Sequence, residues 1–381
     1  MKSIDTLRTS EEKKNYKLLK DVLQKSPLYP KTQYEIKRLE DELKIIHLLK
    51  DSRSFYYYYL ISQELKRNSE PYMVCGTVND LYVLYVLGVT HHNPIEYDCP
   101  YETSIGTINH PRGIRYVSFR VRMEYAETLR EFIELYDDNY VSYDFPYESS
   151  QFVLVPKDMD VSDIFSSDKP DYESIKDNSL FQKLLWFDIV ESKELSLINY
   201  MELKHGDVNF DDGIEAYKKV FFDERFQSDE DIEKYKGYNI DTLDDVIRLL
   251  SHSLSARENF DVYKTKYSNR EEIFVYLYEQ LGLSQDDSYL IMDNVRRGIL
   301  TRKRYDSPII DALPIDLLID FKNTYYLNIK GHIVEMLYYY SKQAYYYVNY
   351  KDEYLDYCKY DENLEYDAYK GRYVAKWVVI H

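Results

Sequence analysis

The spacing of apolar residues changes about halfway along the chain, and this change constrains the fold most strongly. In the first half, alternating β-prone residues over 116–121 and an apolar run over 152–156 predict strands, with a helical pattern between them. After about Asp188, apolar residues recur almost everywhere at the spacing of one helix face. The chain is therefore predicted to form an α/β subdomain with a mixed sheet, followed by an all-α subdomain.

The same pattern divides the chain into four regions. We expect an N-terminal helical extension over 1–30, an α/β region over 31–210, a helical region over 211–360 and a C-terminal tail over 361–381. One apolar stripe near the start of the α/β region predicts an amphipathic helix. The stripe consists of Ile36, Leu39, Leu43 and Ile46.

Composition and charge narrow the class of protein. The 381 residues contain no apolar run near the roughly 18 residues of a membrane span, and the first residues are charged, so we expect a cytoplasmic protein without a membrane partner. Three cysteines without paired spacing predict neither a disulfide framework nor a zinc site. We expect no metal site and no cofactor. The net charge of −18 repels phosphate backbones, so tight binding of nucleic acid would require local basic patches.

The stretch YMVCGTVNDLYVLYVLGVTHHNP, residues 72–94, has the outline of a strand, a turn at Gly76 and an apolar helix. This order is typical of turns whose backbone N–H groups cradle a phosphate, but such turns usually contain two or three glycines. Only Gly76 is present before the apolar segment. The residues leave open whether the turn still holds a nucleotide.

Several segments, in this order, resemble the core of the PolC-type DNA polymerase III alpha subunit of low-GC Gram-positive bacteria. They include LEDELKIIHLLKDSRSFYYYYLISQELKRNSEPYMV, GVTHHNPIEYDCP, FVLVPKDMDVSDIF, LLWFDIVESKELSLINYM, EEIFVYLYEQLGLSQDDSYLIMDNVRRG and IKGHIVEMLYYYSKQAYYYVNY. Together they span about residues 34–355. The resemblance implies a reduced C-family polymerase core, in which the α/β region is palm-like and the helical region is fingers-like.

The resemblance also implies which residues of the triphosphate loop have been replaced. Met73 stands where the family has its first glycine, Cys75 where it has an arginine, and Asn79 where it has its last glycine. Asp80 replaces a serine and brings a negative charge to the phosphate position, with no cation in the local sequence to offset it. Gly76 is the surviving phosphate-binding position.

The catalytic carboxylates that the resemblance implies are reduced in the same way. Ile114 and Tyr116 stand where the family has two aspartates, and Asp188 matches the third. Two Mg²⁺ ions require clustered carboxylates, so we expect the polymerase reaction to be lost and Mg²⁺ to bind only if some activity remains. The zinc module of the family is also incomplete, because Cys99 is present but Glu102 replaces its partner cysteine.

Basic residues of the helical region are the remaining candidates for binding. A nucleic-acid-binding patch is predicted in RRGILTRKR, although such a cluster can equally be a solvated helix end. Its members are Arg296, Arg297, Arg302, Lys303 and Arg304. Four further residues match basic fingers positions that meet the nucleotide in the family, namely Lys322, Lys330, His332 and Lys342. On the palm-like strand, Arg115, Arg120 and Arg122 either stabilise a metal-free palm or hold a phosphate.

These observations lead to one main hypothesis and two alternatives. The main hypothesis is a catalytically inactive PolC-like protein, carried by a phage, plasmid or chromosome, that acts by binding in DNA replication as an accessory factor or decoy inhibitor. Its partners would be a replisome protein or, with low affinity, DNA. The alternatives are a residual or split DNA-directed DNA polymerase and a structural interaction module unrelated to replication.

The resemblance makes a geometric prediction as well. Asp188 should lie near Ile114 or Tyr116 in one sheet, since family palms gather their carboxylates from adjacent strands. Helices over 271–281, 288–300 and 332–350 should pack as one helical unit, with Lys330 and His332 facing a cleft. Its buried residues should include Leu277, Val295, Leu337 and Ala344.

Overall fold

A computed structural model describes most of the chain as two compact units. The described residues are 4–113, 117–144, 151–157, 184–223, 226, 229–235, 237–253, 266–299, 310, 313–324, 327–360, 366–367 and 372–373. The first unit comprises Met1–Pro94 and Ile108–Leu195, and the second comprises Ile95–Thr107 and Ser196–His381. The division therefore falls at residue 195, where the sequence suggested 210, and a short segment of the first half belongs to the second unit.

Three long helices begin the first unit: α1 (Ile4–Gln24), α2 (Gln33–Leu49) and α3 (Ser52–Arg67). Helix α2 starts at a capping box, in which the Thr32 side chain accepts from the N–H of Glu35 and the Glu35 side chain accepts from the N–H of Thr32. Helix α1 is tied to the next two helices through Glu12, which is buried and accepts from Ser52 Oγ at 2.5 Å. The N-terminal region is therefore part of the first unit.

A mixed five-stranded sheet completes the first unit, and this confirms the predicted α/β class. The elements after α3 are β1 (Tyr72–Cys75), a 3₁₀ turn (Thr77–Asp80), α4 (Tyr82–Val86), β2 (Val117–Arg122), α6 (Met123–Leu135), β3 (Tyr140–Asp144), β4 (Gln151–Pro156) and β5 (Leu185–Ser192). Helix α5 (Glu102–Ile105) lies in the segment that belongs to the second unit. The strand order is β1-β2-β5-β4-β3, and only β2 and β5 are parallel.

The two faces of this sheet differ in chemistry. Helices α3 and α6 cover the face that carries Phe119, Phe152 and Phe187: the ring centroids of Tyr58 and Phe119 are 6.2 Å apart, and the Arg130 guanidinium lies 4.9 Å from the Phe152 ring. Successive side chains of a strand point to opposite faces. The residues next to these phenylalanines therefore lie on the other face, which contains the site described below.

The second unit is almost entirely helical in its described residues. It contains α7 (Lys193–His205, whose first residues belong to the first unit), α8 (Phe210–Val220), α9 (Asp229–Tyr235), α10 (Leu243–Ser253), α11 (Arg270–Val275) with a π-turn (Tyr276–Gln280), α12 (Gln285–Arg296), α13 (Ile315–Asn323), α14 (Lys330–Asn349) and α15 (Lys351–Tyr360). A small ladder, β6 (Tyr366–Asp367) with β7 (Arg372–Tyr373), lies in the predicted C-terminal tail. No helix of the described ranges is long and apolar enough to cross a membrane.

Two separate apolar cores hold the second unit together. Leu277 and Val295 are buried in one core, built mainly by α11, α12 and α13. Leu337 and Ala344 are buried in the other, around α8, α10 and α14. The four residues expected to be buried are thus buried in one unit, but they belong to two cores.

The segment Ile95–Thr107 is fixed to α12 by polar contacts. Gln285 Nε2 donates to Glu102 Oε1 at 2.9 Å, and Thr107 Oγ1 donates to the Asp286 carboxylate. These contacts join residues that are 183 and 179 positions apart in the chain. Glu102, which stands where the resemblance expects a zinc-binding cysteine, is buried and acts as a hydrogen-bond acceptor.

Candidate functional site

A row of polar residues crosses four strands of the sheet, on the face opposite α3 and α6. Asp188 in β5 is paired with Ser118 in β2 on one side and with Gln151 in β4 on the other. Ser118 is in turn paired with Cys75 at the edge strand β1. The alternation of the strands places all four side chains on one face. Asp188, which the resemblance implies to be the remaining catalytic position, is thus in the middle of the sheet.

Asp188 is held in a polar but incomplete environment. Its side chain is 7% exposed, and one carboxylate oxygen accepts a hydrogen bond from Ser118 Oγ. The other oxygen, Oδ1, is buried and has no hydrogen-bond partner among the residues that the structure describes. The cross-strand neighbours on both sides carry a hydroxyl and an amide, so they do not supply the second carboxylate that a pair of Mg²⁺ ions requires. This donor set does not fit a two-metal site.

The positions expected beside Asp188 can be followed only in part. Ile114, Arg115 and Tyr116 lie outside the described residues, so their proximity to Asp188 stays a prediction. Arg120 lies on the same face as Asp188 and is paired along the strands with Val190 and Met73. Arg122 is engaged by Glu70, to which its Nε and Nη2 donate at 2.6 and 2.5 Å.

The turn at Gly76 keeps the geometry that requires glycine. Its φ of 112° lies in a region that residues with a Cβ rarely adopt, and this conformation reverses the chain between β1 and the 3₁₀ turn. Asn79 Nδ2 donates to the carbonyl of Val74 at 2.8 Å and holds the turn against the strand. The turn therefore survives as a structural element.

The backbone N–H groups that follow this turn are occupied by a glutamate from α2. Glu42 is fully buried, and its carboxylate accepts from the N–H groups of Tyr82 at 3.0 Å and Val83 at 2.8 Å. Arg38 donates to Glu42 Oε1 at 2.6 Å and to the carbonyl of Asp80 at 2.7 Å. A guanidinium group thus binds the backbone carbonyl of Asp80 from 42 residues away in sequence, which the local sequence did not indicate.

A second glutamate occupies the start of α14, where Lys330 and His332 were predicted to bind an anion. Glu271 Oε2 accepts from the backbone N–H of Lys330 at 2.9 Å, and Glu271 is 2% exposed. The carboxylate satisfies one of the N–H groups that a helix leaves free at its first turn and also complements the helix dipole. Lys330 and His332 themselves are half-buried.

Lys342 is held by two carboxylates within the second unit. Its Nζ donates to Glu202 at 2.5 Å and to Asp207 at 2.6 Å, and it lies 5.0 Å from the centre of the Tyr338 ring. Burial alone would lower the pKa of Lys342, but the charge of Glu202 and the hydrogen bonds to both carboxylates raise that pKa above its ordinary value. Burial raises the pKa of Glu202. The ammonium group therefore stays charged, and its charge is neutralised internally.

The remaining basic candidates divide into a paired and an exposed group. Arg296 and Arg297 both form ion pairs with Asp293, at 2.5 and 2.8 Å. Lys322 is exposed on α13. Arg302, Lys303 and Arg304 lie outside the described residues.

Lys330, His332 and Lys342 lie on one helix but do not form one cluster. Lys330 and His332 share the first turn of α14, and Lys342 is three turns further along that helix, about 18 Å away. Gly76 and Asp188 belong to the first unit. No group of three His, Cys, Asp or Glu side chains arranged to hold a metal occurs in the described part of the chain.

Sequence reasoning missed the acidic residues that engage these positions. From the sequence, no role was assigned to Glu42, Glu271, Glu202, Asp207 or Asp293. For Glu42 a signal existed: it is four residues after Arg38 and lies beside Leu39 and Leu43, so the helical period places it close to the apolar stripe.

No protein-family model matches the chain, and the search of curated proteins found no match either.

Proposed function

We propose that this chain is a polymerase-inactive relative of the PolC-type DNA polymerase III alpha subunit. It acts in DNA replication by binding a protein partner, as an accessory factor or as a decoy inhibitor. The resemblance of the collinear segments supplies the link to replication. The arrangement of acidic residues supplies the argument for binding without catalysis.

One observation carries the proposal: internal carboxylates stand at three places where the resemblance implies phosphate contact, and a fourth binds the N–H groups directly after the implied triphosphate loop. Glu42 occupies the N–H groups after the Gly76 turn, and Glu271 occupies the start of α14. Glu202 and Asp207 neutralise Lys342, and Asp293 pairs with two arginines of the predicted DNA patch. Phosphate would have to displace a carboxylate at each place, and at Glu42, Glu271 and Asp293 that carboxylate is buried, so binding costs the hydrogen bonds and ion pairs already made.

The surroundings of Asp188 support the loss of catalysis. A serine and a glutamine flank this carboxylate in the sheet, so its described strand neighbours do not supply the second carboxylate needed for metal-assisted phosphoryl transfer. The net charge of −18 favours a basic protein surface over a phosphate backbone as the partner.

Primer extension tests the catalytic half of the proposal. Purified protein should extend no primed template with Mg²⁺ or Mn²⁺, under conditions in which a PolC-type polymerase is active. Extension that Asp188→Asn abolishes would establish the residual polymerase instead. In that case the carboxylate pair must be completed elsewhere, by undescribed residues or by another chain.

A salt series of DNA binding tests the choice of partner. We expect no tight binding of primed or single-stranded DNA at 150 mM salt, and at most a low-affinity complex that is lost steeply as salt rises. Arg297→Glu with Arg302→Glu should abolish that residual complex if the basic patch provides it. Tight, salt-resistant binding of DNA would overturn the preference for a protein partner.

Reconstituted replication with the PolC-type replisome of the same organism tests the physiological half. Adding the chain should change the rate of DNA synthesis: an increase identifies an accessory factor, and a decrease identifies a decoy inhibitor. An unchanged rate, together with no complex in size-exclusion chromatography, would favour an interaction module unrelated to replication.

A further inference from the structure

Helix α13 (Ile315–Asn323) presents an exposed apolar stripe on the second unit. Ile315 and Ile319 are four residues apart, so they lie on the same side of the helix, and they are 74% and 52% exposed. The opposite side of the helix carries Leu317 and Phe321, which are 4% and 0% exposed and belong to a core. The helix is therefore anchored by one face and leaves two β-branched apolar side chains in water on the other.

The charges beside this stripe have no ion-pair partners in the described part of the chain. Asp316 and Asp320 form a second stripe at the same four-residue spacing, one position further round the helix. Lys322 continues the apolar stripe, seven residues after Ile315. Elsewhere in this unit basic side chains are engaged, as Arg296, Arg297 and Lys342 show. The α13 face thus combines unburied apolar area with unneutralised charge.

We propose that this face of α13 docks an amphipathic helix of a partner protein, whose apolar stripe is bordered by lysine or arginine residues. The partner's apolar side chains would cover Ile315 and Ile319, and its basic residues would lie opposite Asp316 and Asp320. Lys322 at the end of the stripe would favour the orientation in which an acidic residue of the partner meets it. This inference rests on the proposed function, since it supplies the surface through which the chain binds a protein.

Charge complementarity selects this occupant over the others. A second copy of the chain would bring another net charge of −18 to the surface, and nucleic acid would meet the Asp316–Asp320 stripe with its phosphates. A basic amphipathic helix instead gains from both the local stripe and the long-range field. The resemblance implied that Lys322 meets a nucleotide phosphate. On the docking face, Lys322 would instead bind an acidic residue of the partner protein.

Two synthetic helical peptides provide the test. Both have about 15 residues, with leucines at the a and d positions of the heptad; one carries lysines beside the leucines and the other carries glutamates. Fluorescence anisotropy of the labelled peptides at 150 mM salt measures their affinity for the full chain. Wild-type protein should bind the lysine peptide at least about tenfold more tightly than the glutamate peptide, as two favourable ion pairs would give.

Two variants locate the binding on α13. Ile315→Ser with Ile319→Ser should weaken binding of the lysine peptide by about tenfold or more, because the apolar contact is lost. Asp316→Lys with Asp320→Lys should reverse the preference, so that the glutamate peptide binds more tightly. All four side chains are outside the apolar cores, and circular dichroism should show unchanged helix content.

A matched control separates docking from general attraction to an acidic protein. Glu127 and Glu131 are exposed at the same four-residue spacing on α6 in the first unit, so Glu127→Lys with Glu131→Lys changes the net charge by the same amount. This control should keep the wild-type peptide preference. Equal loss in the control and in the Asp316/Asp320 variant would overturn the proposal, as would absence of peptide binding or equal affinity for both peptides. None of these results changes the outcome expected for primer extension. Failure of the docking surface and failure of the proposed function are therefore distinguishable.

Discussion

Replacing Glu42 with alanine tests whether a buried internal carboxylate organises the turn that follows β1. In the wild-type protein this buried carboxylate accepts hydrogen bonds from Arg38 and from the N–H groups of Tyr82 and Val83. Alanine removes all three acceptor contacts at once. The guanidinium of Arg38 and two N–H groups at the start of α4 then remain buried without this partner.

The expected loss of stability follows from these contacts. Removing one partner of a buried ion pair costs about 3–5 kcal/mol, because the other charge is left uncompensated. Each backbone N–H left unsatisfied would cost roughly 1–3 kcal/mol alone, but groups that share one acceptor are not additive. We therefore expect Glu42→Ala to lower the free energy of unfolding of the first unit by about 4 kcal/mol.

Urea unfolding followed by tryptophan fluorescence measures this loss in the right unit. Trp186 is buried in β5 of the first unit, and replacing the second tryptophan, Trp377, with phenylalanine makes Trp186 the only tryptophan. The midpoint of the Trp186 transition should fall to a lower urea concentration without a change in slope. A loss of 4 kcal/mol corresponds to about a thousandfold change in the folding equilibrium constant.

Two further variants decide whether the reasoning is correct. Glu40→Ala, on the exposed side of the same helix, should change stability by no more than about 0.5 kcal/mol. Arg38→Met with Glu42→Leu should be less destabilised than Glu42→Ala, since no charge is left buried. A loss below about 1 kcal/mol for Glu42→Ala would refute the claim that this carboxylate organises the turn.

Three other outcomes are expected from single contacts. Lys342→Met should destabilise the second unit by about 3 kcal/mol at pH 7 in urea unfolding, because Glu202 and Asp207 then repel each other without the ammonium between them. Burial raises the pKa of Glu202, so Glu202 becomes protonated as the pH falls toward 4. The repulsion then disappears, and the loss of stability should shrink. Hydrogen bonds from the backbone of Thr32 and Lys31 lower the pKa of Glu35. The ionised Glu35 therefore contributes its full stabilisation above about pH 4.5, and this stabilisation is lost as the pH falls through the lowered pKa. The difference in unfolding free energy between wild type and Glu35→Ala should accordingly shrink between pH 7 and pH 3. A Cβ at Gly213 would lie 2.8 Å from Ser341 Cβ, so Gly213→Ala should cost about 1–3 kcal/mol in thermal or urea unfolding, and Ser341→Gly should recover part of the loss.

The sequence predicted the elements whose apolar pattern is regular. The strands that contain Phe119 and Phe152 were expected in one mixed sheet from their alternation or continuous apolar character, and they belong to one sheet. The resemblance, and not the apolar pattern, placed Asp188 near that sheet, where it lies in a strand between the other two. The strand Tyr140–Asp144 was missed, since as an edge strand it leaves Val141 exposed and shows little contrast between its faces. The palm and fingers assignment stays a prediction.

Candidate site residues were harder to predict, because their roles depend on partners far away in sequence. Lys342 was identified from its position in the resemblance, yet Glu202 and Asp207, which hold it, lie 140 and 135 residues earlier. The burial of Asp188 beside Ser118 likewise follows from a strand pairing across 70 residues. Local patterns indicate which residues can carry charge. Only the fold shows which charges neutralise one another.

The segment Ile95–Thr107 has a consequence for synthesis of the chain on the ribosome. Its partners Gln285 and Asp286 are made about 180 residues later, as the separations of 183 and 179 show. At about 5–20 residues per second, Glu102 waits roughly 10 to 40 s for Gln285 to be made. The first unit also needs Ile108–Leu195, which follows this segment, so the chain must fold that unit around a loop whose own partner does not yet exist. Genes cut between residues 95 and 107 should therefore yield no autonomous halves, because the cut divides both the segment and the first unit.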